Sequence, residues 1–276
     1  MKKLTTSALL LAAILLTSCG GSDDNSGGNG NGGGSTPVTP IAGKFTKNVL
    51  IEDFTGTWCG YCPRVAYGIE KVLEQNITAV PVAIHRGNDP YNFAEGSTLE
   101  SQINLTGYPT AMINRTLDWA YPEPNNTIQV KNQTGPNADL GIAMNSTVAN
   151  GTINLDVKVK FDANMTGLKL VVYALENNLI YNQTNYTSYY GGVSTIQNFE
   201  HDNVLRASLT NILGDAITSN TNDGDIYTRN FTVNVPSNVA NASNLSFVAF
   251  VIGTDNKAIN VRAALPNVNQ TFQENQ

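Results

Sequence analysis

Twelve residues decide the fold of this chain, and they read Glu52-Asp53-Phe54-Thr55-Gly56-Thr57-Trp58-Cys59-Gly60-Tyr61-Cys62-Pro63. Residues 48–54 are rich in apolar side chains and predict a strand. Beyond Pro63, apolar residues recur at helical spacing, at Val65, Ile69, Val72 and Leu73. Proline is tolerated in a first helical turn because its missing N–H would have had no partner there. The pair Cys59 and Cys62 is therefore predicted where a strand ends and a helix begins.

The residues that follow extend this pattern. Ile77 to Ile84 predicts a second strand, Thr98 to Leu105 a short helix, and Ala111 to Asn114 a third strand. The third strand comes directly after Gly107-Tyr108-Pro109-Thr110. A Cys-x-x-Cys pair in a strand–helix–strand context indicates a redox motif. Residues 44–136 are therefore predicted to form an α/β domain.

The predicted position of the two cysteines suits thiol chemistry. The thiolate is the nucleophile, and an unperturbed cysteine has a pKa of about 8.5. The unpaired N–H groups and the dipole at a helix N-terminus stabilise negative charge. Cys59 is expected to be the exposed attacking thiol, and Cys62, one turn on and more buried, is expected to resolve the mixed disulfide.

These motifs resemble the thioredoxin superfamily. The segment at Tyr108 and Pro109 is similar to the one that holds the cis-proline of that superfamily, and the resemblance implies that Pro109 packs beside the two cysteines. Asp53 stands where thioredoxins carry a buried acid that helps to deprotonate the second cysteine. The neighbouring Glu52 leaves this register open by one residue.

Other interpretations of the cysteine pair remain open. Cys59 and Cys62 can form a structural disulfide without catalysis, since exported proteins keep disulfides. A metal half-site would lack two further ligands, and neither a metal nor another cofactor is predicted. The dipeptide between the cysteines resembles that of periplasmic disulfide isomerases. His85, at the end of the second strand, either stabilises the thiolate or is a hydrogen-bonded structural residue.

The N-terminus has the features of an export signal. Lys2 and Lys3 precede an apolar run from Ala8 to Leu16, which is too short to span a bilayer. Cys19 follows in a context similar to the lipobox of bacterial lipoproteins, which implies lipidation at Cys19. Residues 1–18 are therefore predicted as a lipoprotein signal peptide, and residues 19–43, which are rich in glycine, as a lipidated tether to the membrane.

From residue 137 the periodicity changes to strict alternation. Ile153, Leu155, Val157, Val159 and Phe161 alternate with polar residues, and the hairpin signal Asn150-Gly151 precedes them. Further strands are predicted at Leu168–Leu175, Tyr227–Val235 and Leu245–Ile252. Residues 137–276 are therefore predicted to form an all-β, immunoglobulin-like sandwich. The tyrosines of this region form either a binding loop or a mobile loop: Tyr181, Tyr186, Tyr189 and Tyr190.

The whole plan resembles the twenty-eight-kilodalton outer-membrane-protein family of bacterial lipoproteins. Three stretches carry the resemblance: residues 52–63, Val82-Ala83-Ile84-His85, and His201-Asp202-Asn203-Val204-Leu205-Arg206. The resemblance implies a lipid-anchored protein of the cell envelope, at the outer membrane of a Gram-negative bacterium. No partner is predicted for His201 or Arg206, so anchoring or surface roles are expected for them.

The charge and the motifs of the chain leave two hypotheses about its function. The net charge is −6, and −8 without Lys2 and Lys3, which argues against nucleic-acid binding. The first hypothesis is an envelope-anchored thiol–disulfide oxidoreductase, of the isomerase or reductase type, that acts through Cys59 and Cys62 on exported proteins or small disulfides. The alternative is a surface-binding or adhesin-like lipoprotein with a structural disulfide. The sequence does not indicate an oligomeric state.

Overall fold

A computed structural model describes residues 38–276. The predicted signal peptide 1–18, Cys19 and most of the tether 19–43 lie outside the described residues. Within residues 38–276 the protein is mostly β-sheet with few helices. Its strands and α-helices are β1 (Phe45–Lys47), β2 (Val49–Thr55), α1 (Pro63–Glu74), β3 (Ala79–His85), α2 (Gly96–Gln102), β4 (Thr110–Ile113), β5 (Leu117–Asp118), α3 (Thr127–Lys131), β6 (Gly135–Ala138), β7 (Leu140–Ala149), β8 (Thr152–Phe161), β9 (Lys169–Glu176), β10 (Leu179–Thr184), β11 (Thr195–His201), β12 (Val204–Ser208), β13 (Asp215–Ala216), β14 (Ile226–Asn234), β15 (Leu245–Ile252) and β16 (Ala258–Ala264).

The central element is a nine-stranded mixed sheet. Its order is β16-β15-β9-β12-β3-β2-β4-β5, with β13 paired to β9. Strands β2 and β3 are parallel and joined by α1, whereas β4 runs antiparallel to β2. The predicted strand–helix–strand unit around the cysteines is therefore confirmed.

The same sheet joins the two predicted regions of the chain. Strand β12 pairs in parallel with β3, opposite Ala83 at Val204, and antiparallel with β9. The described residues form one compact unit. The boundary predicted between residues 136 and 137 therefore lies within this unit, because strands from both sides of it pair edge to edge. The assignment of the regions 44–136 and 137–276 to two separate fold classes stays a prediction.

A three-stranded sheet, β14-β8-β7, packs on the C-terminal half of the large sheet. Strands β7 and β8 form the predicted hairpin, and its turn residues Asn150 and Gly151 both have positive φ, of 51° and 76°. Such φ values match the twist of the flanking strands, and Asn and Gly tolerate them best. The inward-facing residues of the two sheets form one apolar core, which includes Leu155, Val157 and Phe247.

Helix α1 covers the sheet around β2 and β3. Its apolar residues Val65 and Val72 pack against Val49 and Ile51 of β2. Helix α2 and the loops around it cover the opposite side, where Leu99 shares a core with residues of β2, β9 and β15. Within the described residues no helix has the length and apolar character needed to cross a bilayer.

Candidate functional site

The two cysteines lie at the N-terminus of α1 and are joined by a disulfide bond. Their Cα atoms are 5.4 Å apart. Cys62 is the N-cap residue of α1, and Pro63 occupies the first turn. The backbone N–H groups of Val65 and Ala66 donate to the Cys62 carbonyl oxygen, at 3.0 and 3.3 Å. The local sequence therefore produces the predicted arrangement of strand, disulfide and helix.

Both cysteines are buried, with only 4% of Cys59 and 2% of Cys62 exposed. Burial of Cys62 was predicted, but the expectation that Cys59 is exposed is wrong for this oxidised state. The reason is a segment more than 120 residues further along the chain, which packs against the disulfide loop.

This segment, residues 183–190 at the end of β10 and in the loop that follows it, is called the tyrosine cap below. Gln183 Nε2 donates to the carbonyl oxygens of Cys59, at 2.9 Å, and Gly56, at 3.3 Å. The backbone N–H of Thr184 donates to Thr57, and that of Tyr186 to Gly60, at 2.9 and 2.7 Å. The cap thus satisfies the backbone carbonyls of the loop that precedes α1.

Aromatic contacts extend the cap along α1. The ring of Tyr186 meets that of Tyr61 edge-on, with centroids 5.6 Å apart, and the ring of Tyr189 stacks on Tyr67 at 4.6 Å. Tyr190 donates through its hydroxyl to Glu70, at 2.7 Å. These three tyrosines therefore hold the cap on the Cys59–Cys62 loop and on α1.

Gly60 permits this close approach. A Cβ atom on Gly60 would lie 2.2 Å from Cδ2 of Tyr186, far inside van der Waals contact. The φ of Gly60 is not positive, so the space taken by Tyr186 makes glycine necessary here. The sequence alone did not reveal this requirement, because Tyr186 is distant along the chain.

The two adjacent carboxyl groups of β2 lie on opposite faces of the sheet. Glu52 accepts hydrogen bonds from the buried Arg115, the shorter at 2.9 Å, and thus belongs to a structural ion pair. Asp53 faces α1 and is only 4% exposed. Burial, and then the negative charge of Glu123, raise the pKa of Asp53 well above its usual value. Within residues 38–276 the Oδ1 atom of Asp53 has no hydrogen-bond partner.

Asp53 and Cys62 line one cavity of about 140 Å³, which is bounded by α1, β3 and the β10–β11 hairpin. His85 and His201 also line it, and its exposed rim includes Glu70, Glu200 and Asp202. The cavity thus runs from an acidic surface opening to the buried side of the disulfide.

The two histidines of the chain meet at this cavity, although 116 residues separate them. Their ring centroids are 5.2 Å apart. His85 Nδ1 lies 3.1 Å from the carboxylate of Asp89, whose side chain is fully buried, so His85 has the predicted hydrogen-bonded environment. Burial, and then the neighbouring His85, lower the pKa of His201 to about 4. Within the described residues the Nε2 atom of His201 has no hydrogen-bond partner.

The remaining predicted residues lie near this site or in the structural core. Pro109, preceded by a cis peptide bond, comes directly before Thr110, which is paired with Phe54 near the end of β2. Tyr108 contacts Trp58 edge-on at 5.4 Å. Arg206, for which no partner was predicted, forms a buried ion pair with Glu176 at 3.2 Å. Across residues 38–276 no group of three or more His, Cys, Asp or Glu residues is arranged to hold a metal ion.

The fold and the site define a mostly β protein with a buried disulfide at a helix N-terminus. Residues 96–270 match the model of the outer membrane protein Omp28 family. The match covers more than half of the chain, so the protein belongs to the Omp28 outer membrane protein family. The predicted localisation at the outer membrane is thereby confirmed, whereas lipidation of Cys19 stays a prediction. The matched region contains the β10–β11 hairpin and His201 but not the disulfide.

Two solved structures resemble the chain. One, described as HBP35 of Porphyromonas gingivalis, is 20% identical, with a TM-score of 0.62; the match covers 85% of this chain and 80% of that one. At this identity the likeness shows a shared fold only. The other is a domain of the outer membrane lipoprotein Omp28 from Porphyromonas gingivalis, with 20% identity and a TM-score of 0.31, covering 48% of this chain and 92% of that one. No curated protein matches the chain significantly.

Proposed function

We propose that this outer membrane protein is a thiol–disulfide oxidoreductase that acts through Cys59 and Cys62 on disulfides of exported proteins or small molecules. We also propose that the β2–α1–β3 unit, with β4 beside it, is thioredoxin-like. One observation carries the proposal: the resolving cysteine Cys62 shares a cavity with the buried carboxyl group of Asp53, whose Oδ1 atom has no hydrogen-bond partner within the described residues.

The helix N-terminus and Asp53 have complementary parts in this chemistry. The N–H groups of the first turn of α1 stabilise a thiolate at the cysteine pair. Burial raises the pKa of Asp53 well above its usual value and so favours its protonated form. It therefore has a proton to give to a cysteine that leaves as a thiolate, and its carboxylate is a base for the reverse step. A buried carboxyl with a perturbed pKa beside a reactive group is typical of functional sites.

The reaction is a balanced exchange of two electrons. An incoming thiolate attacks Cys59 Sγ, a new S–S bond forms, and the bond to Cys62 breaks with its electron pair on Cys62 Sγ. The proton of Asp53 passes to this sulfur. A second thiolate then attacks the mixed disulfide at the incoming sulfur, which leaves the substrate oxidised and both cysteines reduced. In the opposite direction Cys59 attacks a substrate disulfide and Cys62 completes its reduction.

Insulin reduction with dithiothreitol tests this function. The wild-type protein is expected to accelerate the reaction, while Cys59→Ser abolishes turnover and Cys62→Ser traps mixed disulfides. The matched control is Ser188→Ala, which changes a hydroxyl in the tyrosine cap and leaves both cysteines intact. If turnover is the same with and without Cys59, the assignment is wrong.

A second function has an observation in its favour. The tyrosine cap buries both sulfur-bearing residues, which suits a surface-binding protein with a structural disulfide. Titration against redox buffers separates the two functions. An oxidoreductase is expected between about −120 and −270 mV, whereas a structural disulfide is expected below about −300 mV.

A further inference from the structure

We infer that His201 is the proton relay between solvent and the Asp53–Cys62 pair. The protons pass through the cavity on the buried side of the disulfide. This inference rests on the oxidoreductase function proposed above. It assigns a residue of the Omp28-matched region to chemistry at cysteines that lie outside that region.

Asp53 can exchange protons with solvent only if a path to it is open. In the exchange proposed above, Asp53 must lose and regain a proton in each cycle. Asp53 is 4% exposed, and the tyrosine cap covers the disulfide loop above it. The cavity provides the other route, since it reaches from the exposed Glu70, Glu200 and Asp202 to Asp53 and Cys62. A volume of about 140 Å³ has room for several water molecules.

The state of His201 suits proton exchange. The residue is 5% exposed, it lines the cavity, and within the described residues its Nε2 has no hydrogen-bond partner. The ring also has a hydrogen bond to the backbone of Tyr181, so Nε2 is the nitrogen that can accept a proton and release it again. Burial lowers the pKa of His201 and raises that of Asp53, which favours the unprotonated form of the imidazole and the protonated form of the carboxyl group, the forms that a base and an acid need.

His85, the other histidine of the chain, does not suit this role. Nδ1 of His85 is engaged by the buried carboxylate of Asp89, which also accepts hydrogen bonds from the backbones of Thr57 and Tyr91. His85 is thus held by a structural network that includes a buried charge. His201 has a backbone hydrogen bond to Tyr181, but its Nε2 has no partner among residues 38–276 and can exchange protons. The titratable and charged groups that surround His201 come from seven elements and their adjoining loops: Asp53, Glu70, His85, Asp89, Tyr91, Glu176, Tyr181, Glu200, Asp202 and Arg206.

The test follows reduction of the Cys59–Cys62 disulfide by dithiothreitol over a range of pH in wild type, His201→Gln and His201→Gly. This reaction needs no natural substrate. With rates expressed per dithiothreitol thiolate, both variants are expected to be slower by at least about tenfold, since positioned acid–base groups contribute about 10²–10⁴-fold. Added imidazole is expected to restore the rate of His201→Gly. The matched controls are His85→Gln and His85→Gly, and imidazole should not restore any loss in the latter.

The following outcomes support or overturn the relay role of His201. Wild-type rates and pH profiles in both His201 variants would overturn the relay, and so would a loss that imidazole cannot restore. If the variants do not fold, the solvent deuterium isotope effect on wild-type reduction decides: the relay requires an effect that Asp53→Asn abolishes. If reduction depends on His201 but wild type does not turn over insulin, the oxidoreductase function fails and the relay stands. If insulin is turned over and reduction does not depend on His201, the relay alone fails.

Discussion

The contact between Gly60 and Tyr186 allows a quantitative prediction about the tyrosine cap. In Gly60→Ala the new Cβ would lie 2.2 Å from Cδ2 of Tyr186, so the ring must move by more than about 1 Å to reach ordinary contact. The movement disturbs the edge-on contact with Tyr61, worth about 0.5–1.5 kcal/mol. It also disturbs the hydrogen bond from the Tyr186 N–H to Gly60, worth about 0.5–1.5 kcal/mol.

The expected loss is therefore about 1–3 kcal/mol, the sum of these two contributions. It is offset by about 0.4–1 kcal/mol, because alanine restricts the unfolded chain more than glycine does. Tyr186→Ala removes the ring that the new Cβ would meet. In that background Gly60→Ala is expected to be neutral or stabilising by up to about 1 kcal/mol. The sign of the Gly60→Ala effect thus depends on whether Tyr186 is present.

The assay is a double-mutant cycle by urea unfolding of the oxidised proteins, with the rate of disulfide reduction by dithiothreitol as a second measurement. Gly60→Ala alone should also accelerate reduction, because the displaced cap covers the loop less well. Gly135→Ala is the matched control, since a Cβ there meets no heavy atom within 4 Å. If the Gly60→Ala effect is the same in both backgrounds within about 0.5 kcal/mol, the packing argument is refuted.

Three further predictions concern buried ionisable groups. Asp53→Asn is expected to raise the free energy of unfolding at neutral pH but not below pH 3.8. The raised pKa of Asp53 stabilises the folded protein fully below pH 3.8, the usual pKa of the unfolded chain, and this stabilisation is lost as pH rises. Urea titrations at both pH values would show the difference, and equal gains at both would contradict it. His201→Gln is expected to reduce the loss of stability between pH 6.5 and about 4, because the unfolded chain binds a proton there that the native imidazole does not; melting temperatures across this window check the sign. Arg115→Met is expected to destabilise the protein by about 3–5 kcal/mol because it leaves Glu52 buried without its partner. The control Lys71→Met, which removes an exposed ion pair with Glu74, should change the free energy of unfolding little. A comparable loss in both variants would contradict this expectation.

The sequence predicted those elements whose signal is local. The strand–helix–strand unit around the cysteines, the Asn150–Gly151 hairpin and the strand Leu245–Ile252 all follow from periodicity or turn chemistry within a few residues, and the structure has each of them. Cys59, Cys62 and Asp53 could be named as candidates for the same reason. Side-chain alternation alone could not choose between Asp53 and Glu52, since either face of β2 could have faced α1.

What the sequence did not predict depends on pairing between distant segments. Strands β10 and β11 have weak alternation, and the polar, tyrosine-containing stretch between them has the composition of a loop. Its contacts with Gly56, Cys59 and Gly60 lie more than 120 residues away along the chain. The meeting of His85 with His201 has the same origin, because Leu179 pairs with His201 and the hairpin that forms the cap also brings this histidine to the cavity.

Glu52 and Asp53 are adjacent on β2 but have different surroundings and different roles. Successive side chains of a strand point to opposite faces, so two adjacent carboxyl groups enter different environments. Arg115 and the surrounding polar network balance the charge of Glu52, which makes it a structural group. Among residues 38–276 the Oδ1 atom of Asp53 has no hydrogen-bond partner, and a buried polar group without a partner is unfavourable for stability. Proteins retain unfavourable groups of this kind mainly where function depends on them. The position of Asp53 beside the cavity that reaches Cys62 is therefore a stronger argument for redox chemistry than the Cys-x-x-Cys spacing, which a structural disulfide would satisfy equally well.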